Sequence, residues 1–112
     1  MKRAVILSLA VGLFLTACIK GSVSPDEAKA MVAQGARLID VRTPREFAQS
    51  RIPGAVNVPF EQLSMRIAEL GPRDGELIVY CEAGVRSARA ASMLRERGFT
   101  RVYDLGAMSR WR

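Results

Sequence analysis

The chain contains several short, mainly apolar runs, each of the length expected of a buried strand. Four such runs cover residues 38–41, 56–58, 77–80 and 102–105. The run at 77–80 (LIVY) is the most apolar of them, and this continuity is typical of a parallel strand covered on both faces. The pattern therefore predicts four strands, with Cys81 at the carboxyl end of the third.

Two helix starts are marked by the same local motif. Residues 24–27 (SPDE) and 43–46 (TPRE) each place a hydroxyl residue, a proline and a glutamate in the order of an N-terminal capping box. Gly35 is expected to end the first of these helices. The second is short and begins directly after the first strand.

Two further helices are predicted from the spacing of apolar residues. Leu63, Ile67 and Leu70 recur at helical spacing, and Gly71 terminates this segment. The other helix runs from about residue 87 to 97. Its predicted inner face consists of Ala88, Ala91 and Leu94.

Alternating strands and helices predict an α/β fold. We expect a central parallel sheet of about four to five strands with helices on both faces. In such sheets the ligand site lies beyond the carboxyl ends of the strands, and Cys81 occupies such a position at the entrance to a helix.

The N-terminal segment is typical of an export signal, and we do not expect it to belong to the folded domain. Lys2 and Arg3 precede an apolar run at residues 4–17, which is shorter than the roughly 20 residues that span a bilayer. Residues 15–18 (LTAC) resemble the lipobox of bacterial lipoproteins, in which cleavage precedes a cysteine that is then acylated. We therefore expect a lipoprotein signal peptide at 1–17, lipidation of Cys18, a tether at 18–23 and a folded domain at 24–112. The alternative is an ordinary signal peptide that contains a cysteine.

This interpretation places the protein in the bacterial cell envelope. It would be a periplasm-facing lipoprotein held at a membrane by its N-terminal lipid, because several acyl chains anchor a protein stably. Ile19 follows the cysteine where an Asp would favour retention at the inner membrane in some bacteria, so the outer membrane is compatible with the sequence.

Composition excludes several classes of site. The 112 residues contain no His and two Cys, so no His-based catalytic pair, His-ligated metal or zinc knuckle can form. We expect neither a metal nor a cofactor. The net charge is +6, but the basic residues are scattered and only 6% of residues are aromatic, which does not favour nucleic-acid binding.

The segment from Cys81 to Ser87 (CEAGVRS) carries the candidate chemistry. A strand delivers the thiol, the small residues Ala83 and Gly84 permit a tight turn, and a helix follows. The backbone amides of such a loop can point inward, and the positive end of the helix reinforces them, so the site favours a thiolate. A buried structural cysteine is the alternative, and the loop composition favours a functional thiol.

At these residues the sequence resembles the rhodanese family of sulfurtransferases. The likeness also covers segments far from the loop, at residues 38–47, 51–59 and 102–111 (LIDVRTPREF, RIPGAVNVP and VYDLGAMSRW). Single-domain periplasmic rhodaneses are the most similar in layout. The resemblance therefore extends over almost the whole chain after the signal segment.

The resemblance implies a sulfurtransferase reaction at Cys81. The thiolate would take a sulfane sulfur from a thiosulfate-like or persulfide donor and pass it from a Cys81 persulfide to a thiol or cyanide. The loop residues that would bind the substrate or persulfide are Glu82, Ala83, Gly84, Val85, Arg86 and Ser87. Arg86 would add charge and brace the loop. Asp40 and Arg42 would either frame the site or form a purely structural ion pair.

Two positions depart from the family pattern near the thiol. Members often carry a basic loop residue that holds the sulfonate of thiosulfate, whereas this chain has Glu82 and Ala83. A carboxylate beside the thiol is expected to repel a dianionic donor. Near the chain end, Gly106 and Ala107 replace the usual paired glycines, which is expected to alter the rim of the site.

Two other functions compete with sulfur transfer. Cysteine-dependent phosphatases of the same fold place five residues between Cys and Arg, whereas this loop has four, from Glu82 to Val85. The shorter loop favours a single sulfur atom over a phosphate. Arsenate reductase activity is disfavoured together with phosphatase activity. The second alternative is a non-catalytic module that binds a partner or senses redox state through Cys81.

Overall fold

Four parallel strands form the sheet of the computed structural model, which describes residues 21–112. They are β1 (Arg37–Asp40), β2 (Val56–Asn57), β3 (Leu77–Cys81) and β4 (Val102–Ala107), in the order β2-β1-β3-β4. Every residue of β3 is buried, as its apolar run predicts. The register pairs Ile39 with Val79 and Cys81 with Ala107, so all carboxyl ends meet at one edge of the sheet.

Three α-helices and three 3₁₀ helices connect and cover the strands. The α-helices are α1 (Pro25–Ala33), α2 (Pro44–Gln49) and α3 (Val85–Glu96). The 3₁₀ helices span Phe60–Met65, Ile67–Leu70 and Met108–Trp111. Both predicted capping boxes are present, at the starts of α1 and α2.

Helices lie on both faces of the sheet, which confirms the predicted fold class. On one face, α3 and the first two 3₁₀ helices pack against alternate strand residues, including Ile39 and Val79. On the other, α1 and the last 3₁₀ helix cover Leu38, Ile78 and Tyr80. Side chains of consecutive strand residues point to opposite faces, so each strand contributes to both cores.

The helix after Cys81 starts earlier than the sequence predicts. It begins at Val85 rather than near Ser87, because Gly84 adopts a left-handed conformation (φ 99°) that turns the chain directly into the first helical residue. The predicted inner face is also wrong in one member. Ala88 is exposed, and Ser87 and Ala90 are buried instead.

The segment that carries Leu63, Ile67 and Leu70 is not one continuous helix. It forms two short 3₁₀ helices that meet at Arg66, whose backbone (φ −112°) is not helical. Leu63 and Leu70 are nevertheless fully buried, so the apolar spacing identified the inward-facing residues correctly. The tighter 3₁₀ turn, with about three residues per turn, keeps both on the sheet side.

Residues 21–23 belong to the fold, although the sequence assigns them to a tether. Gly21 accepts a hydrogen bond from the Asp104 amide (2.8 Å), Ser22 pairs with Asp104 in parallel, and Val23 is buried in the core. The predicted signal peptide at 1–17 and the lipidated Cys18 lie outside the described residues. Among residues 21–112, none of the helices combines the length and the apolar content of a membrane span.

Candidate active site

The Cys81 thiol lies at the carboxyl end of β3, enclosed by the loop that follows. The residue is only 1% exposed. Two backbone amides donate to its Sγ, from Gly84 at 3.0 Å and from Ser87 at 3.3 Å. The inward-facing amides predicted from the sequence are therefore present. They would stabilise a thiolate more than a neutral thiol.

Local geometry explains why the loop closes around the sulfur. Gly84 has φ 99° and ψ −12°, a conformation that side chains rarely adopt. The Ser87 hydroxyl donates to the Gly84 carbonyl at 3.2 Å, which closes the first turn of α3. Because α3 starts here, its unpaired amides and positive dipole end also face the site. Glu82, Ala83 and Val85 are exposed on the outer side of the loop.

Arg86 braces the loop against α2 rather than presenting a free charge. Its guanidinium donates to both carboxylate oxygens of Glu46, at 2.9 and 3.1 Å. This pairing, together with the Thr43 backbone amide, lowers the pKa of Glu46 to about 2. The same carboxylate raises the pKa of Arg86, so both groups stay charged. The predicted bracing role of Arg86 has this physical basis.

Asp40 and Arg42 form a buried ion pair at the end of β1. Arg42 donates to Asp40 through its backbone amide (2.8 Å) and through Nε and Nη2 (3.0 and 2.7 Å). Nη2 also reaches the Ser50 carbonyl, and Nη1 reaches the Glu82 carboxylate at 3.2 Å. The pair therefore has a structural role and also holds the first residue of the active-site loop. This combines the two readings of Asp40 and Arg42 that the sequence leaves open.

The contact with Arg42 changes the expected effect of Glu82. The Glu82 side chain is 58% exposed and its carboxylate is paired with a fully buried guanidinium. Part of its negative charge is thereby compensated. Repulsion of an anionic donor is consequently weaker than the bare sequence suggests.

Three residues that sequence reasoning missed complete the frame. Glu46 was identified only as a capping residue, yet it also holds Arg86. Asn57 donates from Nδ2 to the backbone carbonyls of Asp40 and Arg42, both at 2.9 Å, and so ties the ends of β1 and β2. The Tyr80 hydroxyl accepts from the Ile52 amide at 3.1 Å, and burial raises the pKa of this phenol. A polar residue between two valines of a predicted strand, as Asn57 is, is the one local signal that was available.

The arrangement supports chemistry at a single sulfur atom. Within residues 21–112, no group of three or more His, Cys, Asp or Glu side chains is placed to hold a metal ion. The reactive group is the thiol, and the groups that contact it are amides. The geometry is therefore suited to nucleophilic attack by a Cys81 thiolate, whose charge the two amides would stabilise.

Comparison with known proteins decides the family. Residues 24–112 match the rhodanese-like domain. The chain belongs to the rhodanese-like family. A sulfurtransferase of Allochromatium vinosum is 39% identical over 75 residues, which cover 66% of this chain and 69% of that protein. The thiosulfate sulfurtransferase PspE of Escherichia coli is 38% identical over 71 residues, or 62% of this chain and 68% of PspE.

Solved rhodanese structures share the architecture. The human single-domain sulfurtransferase TSTD1 superimposes with a TM-score of 0.72 at 31% identity, covering 81% of this chain and 94% of TSTD1. The family and enzyme class that the sequence resemblance implied are thus confirmed, and the chain is a rhodanese-type sulfurtransferase.

Proposed function

We propose that Cys81 carries sulfur as a persulfide from an anionic sulfane donor, represented by thiosulfate, to a thiol or cyanide. The single observation that supports this most is the pair of amide contacts from Gly84 and Ser87 to Sγ. These donors contact the sulfur atom that is negative as the attacking thiolate and again when the thiolate is restored, and they are fixed before the reaction begins. Relatives named as thiosulfate sulfurtransferases support thiosulfate as the test donor.

The first half-reaction loads Cys81 with sulfur. The Sγ thiolate attacks the sulfane sulfur of thiosulfate, and a new S–S bond forms. The bond between the two sulfur atoms of thiosulfate breaks, and sulfite leaves with its electron pair. The persulfide now bears the negative charge on its outer sulfur. No proton moves, so the reaction needs no general base and the lack of His is no obstacle.

The second half-reaction restores the thiolate. Cyanide, or an acceptor thiolate, attacks the outer sulfur of the persulfide. The persulfide S–S bond breaks, thiocyanate or an acceptor persulfide leaves, and the electron pair returns to Sγ. The Gly84 and Ser87 amides keep their contacts to Sγ in both half-reactions, because their positions are set by the loop and by α3 rather than by the substrate.

Intact-mass spectrometry tests this proposal directly. After incubation with thiosulfate or an organic persulfide and removal of the excess, the protein should gain one sulfur, about 32 Da. The adduct should map to the peptide 74–86 and disappear on addition of cyanide. Protein alkylated beforehand with iodoacetamide is the control and should gain nothing. If no donor adds sulfur to Cys81, the persulfide mechanism is wrong.

The same measurement separates the competing functions. A cysteine-dependent phosphatase would instead take up a phosphoryl group from an aryl phosphate. A redox-sensing module would show only oxidation of Cys81 by peroxide, with no transfer of sulfur to cyanide. The four-residue spacing between Cys81 and Arg86 and the small Gly84 turn favour sulfur over phosphate.

We also propose that the protein is a lipoprotein of the bacterial cell envelope, anchored through Cys18. The support is the sequence alone: the charged start, the apolar run and the LTAC segment. The Cys18→Ser variant should leave the membrane fraction and lose labelling by a clickable palmitate analogue, whereas Cys81→Ser should keep both. Membrane association of Cys18→Ser equal to that of the unaltered protein would contradict the anchor.

A further inference from the structure

The arginines that contact the active-site loop are already paired. Arg86 is bound by Glu46 through two contacts, and Arg42 is bound by Asp40 and Glu82. An anionic donor would have to compete with these carboxylates for either guanidinium. A donor with two negative charges therefore needs another cation near the thiol.

Arg110 reaches the same end of the sheet from a different element. It lies in the 3₁₀ helix Met108–Trp111, and its Nη1 donates to the Leu105 carbonyl at 2.7 Å. A methyl group placed on Gly106 would lie 3.7 Å from this Nη1. The guanidinium therefore covers the open face of Gly106.

Gly106 in turn adjoins the active-site loop. A methyl group placed on Gly84 would lie 3.9 Å from the Gly106 Cα and 3.8 Å from the Ala107 amide nitrogen. Ala107 pairs with Cys81 in the sheet, and the Gly84 amide contacts Sγ at 3.0 Å. Gly106 is thus a close neighbour of both the Arg110 guanidinium and the Gly84 turn, whose amide contacts the thiol.

The charge of Arg110 is uncompensated in the described part of the chain. None of the ion pairs in residues 21–112 includes it, and residues 1–20 contain no Asp or Glu. Asp104, the closest acidic side chain in sequence, accepts a hydrogen bond from the Gly106 amide (2.9 Å) and belongs to none of the ion pairs in residues 21–112. Arg110 is exposed, and one of its five N–H groups is used by Leu105.

We propose that Arg110 binds the anionic end of the sulfane donor, the sulfonate in the case of thiosulfate. This inference rests on the proposed sulfur transfer and assigns a donor-binding residue to it. The planar guanidinium matches two oxygens of a sulfonate, and its remaining N–H groups are free to donate. Arg110 thereby supplies the cation that the loop lacks at Glu82 and Ala83.

The test is steady-state kinetics of the Arg110→Gln variant with thiosulfate and cyanide. We expect kcat/KM for thiosulfate to fall roughly fivefold, mainly through KM, because an exposed ion pair contributes about 1 kcal/mol. The kcat/KM for cyanide and the midpoint of thermal unfolding should stay unchanged. Arg110→Lys should recover part of the lost kcat/KM, since lysine keeps the positive charge but lacks the planar guanidinium that matches two oxygens.

Arg112→Gln is the matched control, because it removes the same charge two positions away. It should retain the thiosulfate kinetics of the unaltered protein. Added salt should raise KM for thiosulfate in the unaltered protein, and this dependence should flatten in Arg110→Gln.

Unchanged thiosulfate kinetics in Arg110→Gln would overturn the assignment, as would an equal loss in Arg112→Gln or an equal fall in kcat/KM for cyanide. These results leave sulfur transfer itself intact. If the unaltered protein takes up no sulfur from any donor, the proposed function falls together with the role of Arg110.

Discussion

The Gly84→Ala variant is expected to lose roughly 10- to 100-fold in kcat/KM for sulfur transfer. Gly84 has φ 99°, and its amide is the closer of the two donors to Sγ, at 3.0 Å. An alanine strains this conformation and drives the loop towards a different backbone geometry. The amide then leaves Sγ, and the Cys81 thiolate loses a fixed hydrogen bond. Paired measurements of initial rates and thermal unfolding check the effect.

Gly35→Ala is the matched control for this substitution. Gly35 also has positive φ (110°), and a methyl group there would contact nothing within 4 Å, while Gly84 likewise offers space for the atom itself. Both variants should lose about 1–2 kcal/mol of stability from backbone strain. Only Gly84→Ala should lose activity. An equal loss of activity in both variants would mean that the amide contact at Gly84 has no special role.

The Asp40→Ala variant is expected to lower the free energy of unfolding by about 3–5 kcal/mol. Arg42 is 2% exposed, and Asp40 accepts its Nε, Nη2 and backbone amide. Removal of the carboxylate leaves a buried guanidinium with the Glu82 carboxylate and the Ser50 carbonyl as its hydrogen-bond partners. Such a loss is comparable with the total stability of many domains. Chemical denaturation at neutral pH measures it.

The exposed pair of Arg66 and Glu69 provides the comparison. Its guanidinium makes the same two contacts, through Nε and Nη2 at 2.9 and 2.7 Å, but the pair lies on the surface and the Arg66 backbone amide does not donate to the carboxylate. Glu69→Ala should therefore cost less than about 1 kcal/mol, because water replaces the lost partner. If Asp40→Ala cost no more than Glu69→Ala, burial of the Asp40–Arg42 pair would have no energetic consequence.

Local signals in the sequence were sufficient for the architecture. The apolar run of β3 gave both the buried strand and the position of Cys81 at its end. The two capping boxes identified the starts of α1 and α2 because their hydrogen bonds join residues only three positions apart. The glycine at position 84 indicated a tight turn around the thiol, since few other residues allow it.

Contacts between distant parts of the chain could not be predicted from local sequence patterns. Arg86 and Glu46 are 40 residues apart, as are Arg42 and Glu82, and no local pattern specifies either pair. The early start of α3 depends on the left-handed backbone at Gly84, which sequence permits but does not require. The docking of residues 21–23 on Asp104 likewise depends on an exposed edge of β4 that exists only in the folded sheet.

The docking of Gly21 places the start of the domain away from the active-site loop. Gly21 is bonded beside the amino end of β4, where the Arg95 guanidinium bridges the Gly21 and Val102 carbonyls, and Cys81 pairs with Ala107 at the opposite end. The six residues of β4 span roughly 20 Å. A bead, surface or fusion partner joined ahead of Gly21 would therefore attach at the end of the molecule opposite the active-site loop, and leave the exposed side of that loop accessible to diffusing reactants.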